Sequence, residues 1–232
     1  MNSEQQFRFS KRVLLLPFFT VLILWVVYWF EFRFGFDFTT YGIYPRTLKG
    51  LRGILFSPFI HSSIQHLYNN SFPALILMMA LLYFYRRISV KVLLLGWFFS
   101  GLLTWMIARE AYHIGVSGII YFLSSFIFFK GIFTKYYRLI AVSLIVVFIY
   151  GSLVWYLFPV DDRISWEGHL SGFIIGFLLA LFFPGKPELI ETKRHSKIGS
   201  DEEDYFLKHF DENGNFIPTS ELEKINQREE SE

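Results

Sequence analysis

Six stretches of this chain contain no Asp, Glu, Lys or Arg: residues 13–30, 67–85, 92–108, 111–129, 139–160 and 168–185. Each is close to the roughly 20 residues that cross a ~30 Å hydrocarbon core as a helix. A helix on the surface of a water-soluble protein carries a polar stripe at 3.6-residue spacing, whereas these stretches are apolar nearly all round. The pattern therefore predicts an all-α, polytopic membrane protein of six spanning helices, with residues 1–12 before them and a polar, acidic tail over 186–232. The first stretch ends in Tyr28-Trp29-Phe30 and has no small-residue cleavage site, so it reads as an attached span and not as a removed signal peptide. Between the first two spans, residues 31–63 exceed a simple hairpin and are rich in Gly, Pro and aromatics, which suits a segment lying in the membrane interface. The tail reads as mobile apart from one short helix near 201–210. Its Asp-Glu-Asn-Gly-Asn run at 211–215 reads as a turn, because the glycine comes two positions early for a calcium loop and Leu222 stands where the bidentate Glu belongs.

Composition agrees with that pattern: 53% of the 232 residues are hydrophobic, 21% are aromatic and the mean hydropathy is +0.38. The formal net charge of +2 hides an uneven distribution, since residues 186–232 hold 13 acidic and 7 basic side chains. The basic excess elsewhere needs no nucleic acid to explain it, because Lys and Arg gather at the cytoplasmic ends of spans. With the amino terminus inside, 13 Lys and Arg fall on inner segments and 6 on outer loops, so both termini are expected in the cytoplasm. The absence of Cys rules out disulfides, thiolate metal sites and a cysteine nucleophile.

Polar side chains within spans are costly and by default mark function. Here they are His66, Asn69 and Asn70 at the start of the second span, Ser117 early in the fourth and His169 at the start of the sixth. Spans 2, 4 and 6 all run inward from the outer face, so their amino ends share one level. If the stretch after Glu110 is helical, Ser117 lies roughly 10 Å below the surface. Gly115 and Gly118 flank Ser117 closely, where a loop can turn into a helix and backbone can approach another group. Gly168, Gly172 and Gly176 recur every four residues and form a small-residue stripe on which the sixth span can press against the fourth, bringing His169 to the Ser117 hydroxyl. His66 and Asn70 share a helical face and carry donors for an oxyanion, while Asn69 points elsewhere. Tyr121, four after Ser117, is placed to pack against His169. No carboxylate is placed to orient the histidine, since Asp161, Asp162 and Glu167 read as outer-loop residues. His113, His195 and His209 have no companions. His61 and His66 lack the spacing and carboxylates of a zinc site.

These residues resemble the rhomboid family of intramembrane serine proteases. His61 with His66 and Asn70, then Gly115-Val116-Ser117-Gly118-Ile119-Ile120-Tyr121, then His169 with Gly172 and Gly176 match the family's His-x4-His-x3-Asn, Gly-x-Ser-Gly-x-x-Tyr and His-x-x-Gly-x3-Gly patterns in order. The resemblance covers residues 61–176. It implies the six-helix form typical of prokaryotes, with a protease domain over 13–185 in a bacterial inner membrane. It also implies a serine endopeptidase with Ser117 as nucleophile and His169 as general base. His66, Asn70 and the Ser117 backbone N–H would form the oxyanion hole, Tyr121 would stack on the histidine, and the substrates would be transmembrane segments of other proteins, with no cofactor, metal or nucleic acid. Two other classes stand beside this one: an inactive relative that binds or escorts membrane clients, which would lack the serine or histidine, and a transporter, which would carry carboxylates inside its spans.

Overall fold

The computed structural model describes residues 9–161, 164–183, 209–210, 214–219 and 221. The described residues are helical, with no strand and only isolated β-bridges. Among residues 9–183 that are described, eight α-helices follow in order: α1 (Lys11–Phe34), α2 (Leu48–Leu51), α3 (Gly53–Phe56), α4 (Ile64–Phe84), α5 (Ser89–Ile107), α6 (Ser117–Phe133), α7 (Tyr137–Tyr150) and α8 (Trp166–Phe182). By length and composition, α1, α4 and α5 can each cross a membrane. The apolar helices α6, α7 and α8 are shorter, at 17, 14 and 17 residues.

The shortening has local causes. The fourth apolar stretch starts at residue 111, but its first six residues are irregular and the helix opens only at Ser117. Ser117 is thus the first residue of its helix and not the product of two helical turns below Glu110. Irregular backbone at membrane depth is tolerated only where protein or water satisfies it. Here His113 exchanges backbone hydrogen bonds with Ile43, at 2.8 and 3.0 Å, and the Gly115 N–H donates to the Ser57 carbonyl at 2.8 Å. In the fifth stretch the helix gives way after Tyr150 to a 3₁₀ segment, Gly151–Leu157.

The core is built around α6. Its Phe122, Leu123, Phe126 and Ile127 are fully buried, and it packs against α4, α5, α7 and α8. The periphery is apolar and exposed, for example Phe18, Phe19 and Ile23 on α1, Phe98 on α5 and Phe148 on α7. Such a surface is unfavourable in water and ordinary against lipid tails, so this is an integral membrane protein. Helix α1 packs on α4, where the Trp25 indole donates to the Ser71 hydroxyl at 2.9 Å. The segment between them contains α2 and α3 and two 3₁₀ turns, and it is tied to α5: the Trp97 and Trp105 indoles donate to the carbonyls of Ile54 and Thr47. Its Phe36 and Phe38 stack in series on Phe30 of α1.

The tightest helix contact is α6 on α8. A methyl carbon built at Gly172 would fall inside the Gly118 carbonyl, and one at Gly176 inside the Phe122 carbonyl. Gly172 and Gly176 of the stripe therefore face α6, where the two backbones meet with no side chain between them, whereas Gly168 faces Ser165 and Thr104. The far end of the pair is fastened by Lys130 of α6, which is buried and donates to the carbonyls of Ala180 and Phe183. A cation at a helix carboxyl end satisfies carbonyls that have no intrahelical donor and complements the helix dipole.

The described tail residues form a small unit of their own. Phe210 and Phe216 pair in an antiparallel bridge, and the His209 ring stacks on Phe216 at 5.6 Å. Residues 201–208 of the expected short helix, and 211–213 of the expected turn, lie outside the described residues.

Adding one methyl group at the α6–α8 contact is expected to destabilise the bundle where the same change elsewhere does not. Gly172→Ala should lower thermal stability in detergent by an amount in the ~1–3 kcal/mol range of overpacked cores. Gly151→Ala should leave it nearly unchanged, because a methyl there meets only Val147 at 3.6 Å. Equal melting temperatures for the two variants would contradict the backbone-to-backbone contact.

Candidate active site

Ser117 opens α6, and the turn that delivers it depends on Gly115, whose φ of +101° is one that L side chains rarely adopt. The first amides of a helix lack intrahelical acceptors; Ile119 and Ile120 donate to the Val116 carbonyl, which leaves the Ser117 and Gly118 N–H groups beside the Ser117 hydroxyl. His169 is the fourth residue of α8, one turn from the Gly172 contact. Its Nε2 lies 3.0 Å from Ser117 Oγ and its Nδ1 lies 3.0 Å from the Tyr156 carbonyl. A carbonyl only accepts, so Nδ1 carries the proton in the neutral ring and Nε2 accepts from the serine hydroxyl. The Tyr121 ring stacks on the imidazole, with centroids 4.1 Å apart and planes 11° from parallel.

Helix α4 brings two donors to the same place. His66 and Asn70 are one turn apart, and Asn70 is buried with its Nδ2 making no hydrogen bond. A buried donor without a partner is costly unless a ligand or water meets it. A methyl carbon at Gly115 would sit 2.9 Å from His66 Nε2 and 3.7 Å from Asn70 Nδ2, so the missing side chain leaves both donors open to the space beside Ser117. The Ser62 hydroxyl lies 3.3 Å from His66 Nδ1. Asn69 is exposed and accepts from the Gln65 amide at 2.8 Å. Ser117, His169, His66, Asn70, Tyr121 and Tyr156 all line one cavity of about 760 Å³. Among the described residues, no three His, Asp or Glu side chains converge as a metal site requires.

Three features of this region were not legible in the sequence or correct the reading of it. The Tyr156 carbonyl belongs to the 3₁₀ segment after α7, and since every residue has a carbonyl, no sequence signal marks one that orients a histidine. His113 has companions after all: its Nδ1 lies 2.6 Å from Ser165 Oγ and its Nε2 lies 3.0 Å from the Arg109 carbonyl. Glu167 is not a loop residue but stands in the first turn of α8, only 3% exposed, with its carboxylate 3.2 Å from the Arg109 guanidinium. The identity of these residues was visible, but the pairings of His113 with Ser165 and of Glu167 with Arg109 span 52 and 58 positions.

His61, in the loop before α4, is buried against the His66 ring with centroids 5.0 Å apart. Burial, and secondarily His66, push its pKa from 6.5 down to about 4. A histidine held neutral in the folded protein takes up a proton on unfolding, so its contribution to stability is complete above pH 6.5 and is lost as the pH falls from there to about 4. The melting temperature should fall across that interval, and His61→Asn should flatten the fall. An unchanged pH profile in the variant would show that His61 does not carry it.

Comparison with known proteins identifies the family. A family profile for the Rhomboid domain matches residues 49–186, which include Ser117 and His169. A protein of Mycobacterium tuberculosis (strain ATCC 25618 / H37Rv), named only as uncharacterized, is 31% identical over 179 residues, covering 72% of this chain and 73% of the relative. An uncharacterized protein of Mycobacterium bovis matches to the same extent. One of Mycobacterium leprae is 35% identical over 162 residues, covering 65% of this chain and 62% of that protein. With the profile extending over more than half of its length, the chain belongs to the rhomboid family, whose members are in general intramembrane serine proteases that act on transmembrane substrates.

Proposed function

We propose that this protein is a serine endopeptidase that cleaves transmembrane segments of other membrane proteins through a Ser117–His169 dyad. The observation that carries this reading is the 3.0 Å approach of His169 Nε2 to Ser117 Oγ, with the opposite ring nitrogen held by the Tyr156 carbonyl. A serine hydroxyl is a weak nucleophile until an adjacent base takes its proton, and a base works only in the tautomer whose free nitrogen faces the hydroxyl. In the proposed reaction Ser117 Oγ attacks the peptide carbonyl as its proton passes to His169 Nε2. The negative charge developing on the carbonyl oxygen is met by the Ser117 N–H, Asn70 Nδ2 and His66. His66 serves as a neutral donor if its Nδ1 accepts from Ser62. The imidazolium of His169 then protonates the leaving amine, and water reaching the cavity resolves the acyl-enzyme. Tyr121 holds the imidazole plane by stacking. His61 supports His66 from behind, and Gly115, Gly118, Gly172 and Gly176 allow the backbones to come this close.

The same reading assigns six spans to 13–185, with both termini cytoplasmic, 1–12 and 186–232 outside the protease domain, and the cavity opening toward the outer face of a bacterial inner membrane. The apolar run of α7 with the 3₁₀ segment after it, and the irregular entry to α6, account for spans whose α-helical parts fall short of ~20 residues. An inactive relative that escorts clients is disfavoured by the intact serine–histidine pair.

Ser117→Ala and His169→Ala should each abolish cleavage of a single-span substrate in proteoliposomes while leaving the fold intact. The double variant should be no worse than either, because the two act as one unit. Wild-type turnover in either single variant would remove the dyad. His66→Ala and Asn70→Ala should each lower kcat by ~100- to 1,000-fold with little change in KM, as expected on removing a donor that matters only once the oxyanion forms. Asn69→Ala should lose far less. Full activity in Asn70→Ala, with loss in Asn69→Ala, would place the oxyanion on the other face of α4.

A further inference from the structure

The loop that delivers Ser117 and the helix that delivers His169 are joined at a second place, on the outer side of the dyad. Arg109, the first residue after the α5 cap, donates from Nη1 to both carboxylate oxygens of Glu167, at 3.2 and 3.3 Å, and from its backbone N–H to one of them at 3.3 Å. Its Nη2 donates to the Ile164 carbonyl at 2.9 Å, so one guanidinium grips both the first turn of α8 and the strap leading into it. Beside this pair the His113 ring spans from the Arg109 carbonyl to the Ser165 hydroxyl. Ser165 in turn accepts, on its carbonyl, from the His169 backbone N–H at 3.2 Å.

We propose that Arg109–Glu167 and His113–Ser165 form a clasp that sets the separation of Ser117 and His169, with Glu167 as a positioning residue and not as a catalytic one. This rests on the dyad reading. An acidic residue in the first turn of a helix is ordinarily explained by the helix dipole, and such residues are ordinarily exposed. Glu167 is buried, and its oxygens are aimed at a segment 58 positions away in the chain. The clasp lies two residues before His169 on one side and eight before Ser117 on the other. Ser125 of α6 donates to the Phe173 carbonyl at 2.7 Å and Lys130 fastens the far end, so side-chain hydrogen bonds hold α8 to α6 from Phe173 onward while its first turn keeps freedom to shift. The clasp removes that freedom at the end where the chemistry occurs. It also accounts for Gly168, because a methyl carbon there would sit 2.8 Å from Ser165 Oγ and disturb its bond to His113.

The substitution that tests this is Glu167→Gln, which keeps the shape. A carboxamide offers one acceptor oxygen and two N–H donors, whereas Arg109 brings only donors, so the grip on both oxygens is lost. The expected result is a ~10- to 100-fold fall in kcat with KM unchanged, of the size expected from ångström-scale misplacement of the dyad. Arg109→Gln should fall similarly, the Glu167→Gln/Arg109→Gln double variant should be no slower than either, and Arg109→Lys, which keeps a cation beside the carboxylate, should recover part of the rate. Two measurements need no turnover. A double-mutant cycle in thermal unfolding should show coupling between positions 109 and 167, and nitrogen-15 NMR of the His169 ring should show protonated Nδ1 in the wild type and a shifted ring in Glu167→Gln. Wild-type kcat in Glu167→Gln, or an unshifted His169 ring in a folded Glu167→Gln protein, would overturn the clasp. A wild-type protein without protease activity would overturn the dyad reading, and the clasp would then stand or fall on the coupling and the ring shift.

Discussion

The structure depends on two helices meeting backbone to backbone. Ser117 and His169 carry short side chains on different helices, and their functional atoms come within 3.0 Å only because α6 and α8 touch without intervening side chains. Lipid tails are as apolar as leucine, so the hydrophobic effect supplies little drive for one spanning helix to seek another, and close van der Waals packing must supply it. The glycine stripe of α8 is what permits that packing. The remaining features of the site follow from it: Tyr121 lies one turn along α6, where the imidazole arrives, and Gly118 is one of the surfaces on which α8 rests.

A second constraint is the treatment of polar groups in a solvent that cannot hydrogen-bond them. Here they fall into two kinds. Most are paired: Lys130 with the carbonyls that end α8, Ser143 with carbonyls of α6 and α7, and Glu167 with Arg109. Asn70 Nδ2 is not, nor are the hydroxyls of Tyr85, Ser124 and Tyr150, but of these four only Asn70 lines the cavity beside Ser117. Its burial without a partner would be an uncompensated cost in a purely structural role, while a carbonyl oxygen gaining negative charge nearby would meet it.

Among the described residues, no carboxylate is hydrogen-bonded to His169 as the third member of a triad would be. The Tyr156 carbonyl takes the place that an acid holds in a triad, fixing the tautomer by accepting from Nδ1–H while contributing only a dipole. That carbonyl lies on the 3₁₀ segment joining α7 to α8 and not on either helix of the dyad, so the orientation of His169 depends on how this connection lies.

By itself the sequence determined where the helices are and which side chains are out of place in lipid, because both are local properties. Absence of charge over ~20 residues has one stable solution in a bilayer, and a histidine, asparagine or serine within such a stretch is conspicuous whatever surrounds it. The glycine periodicity of α8 was legible for the same reason, as a pattern within one helix. The helix ends were less so: the fourth stretch looked helical from its first residue, yet the backbone up to Gly115 is held by Ile43 and Ser57, distant partners that periodicity cannot register. Only the tertiary structure decided the rest. That Glu167 is buried and paired, that His113 bridges Arg109 and Ser165, and that a main-chain carbonyl meets His169 are facts about which segments become neighbours. Neighbours are chosen by packing summed over the whole bundle, to which no single stretch of sequence holds the key.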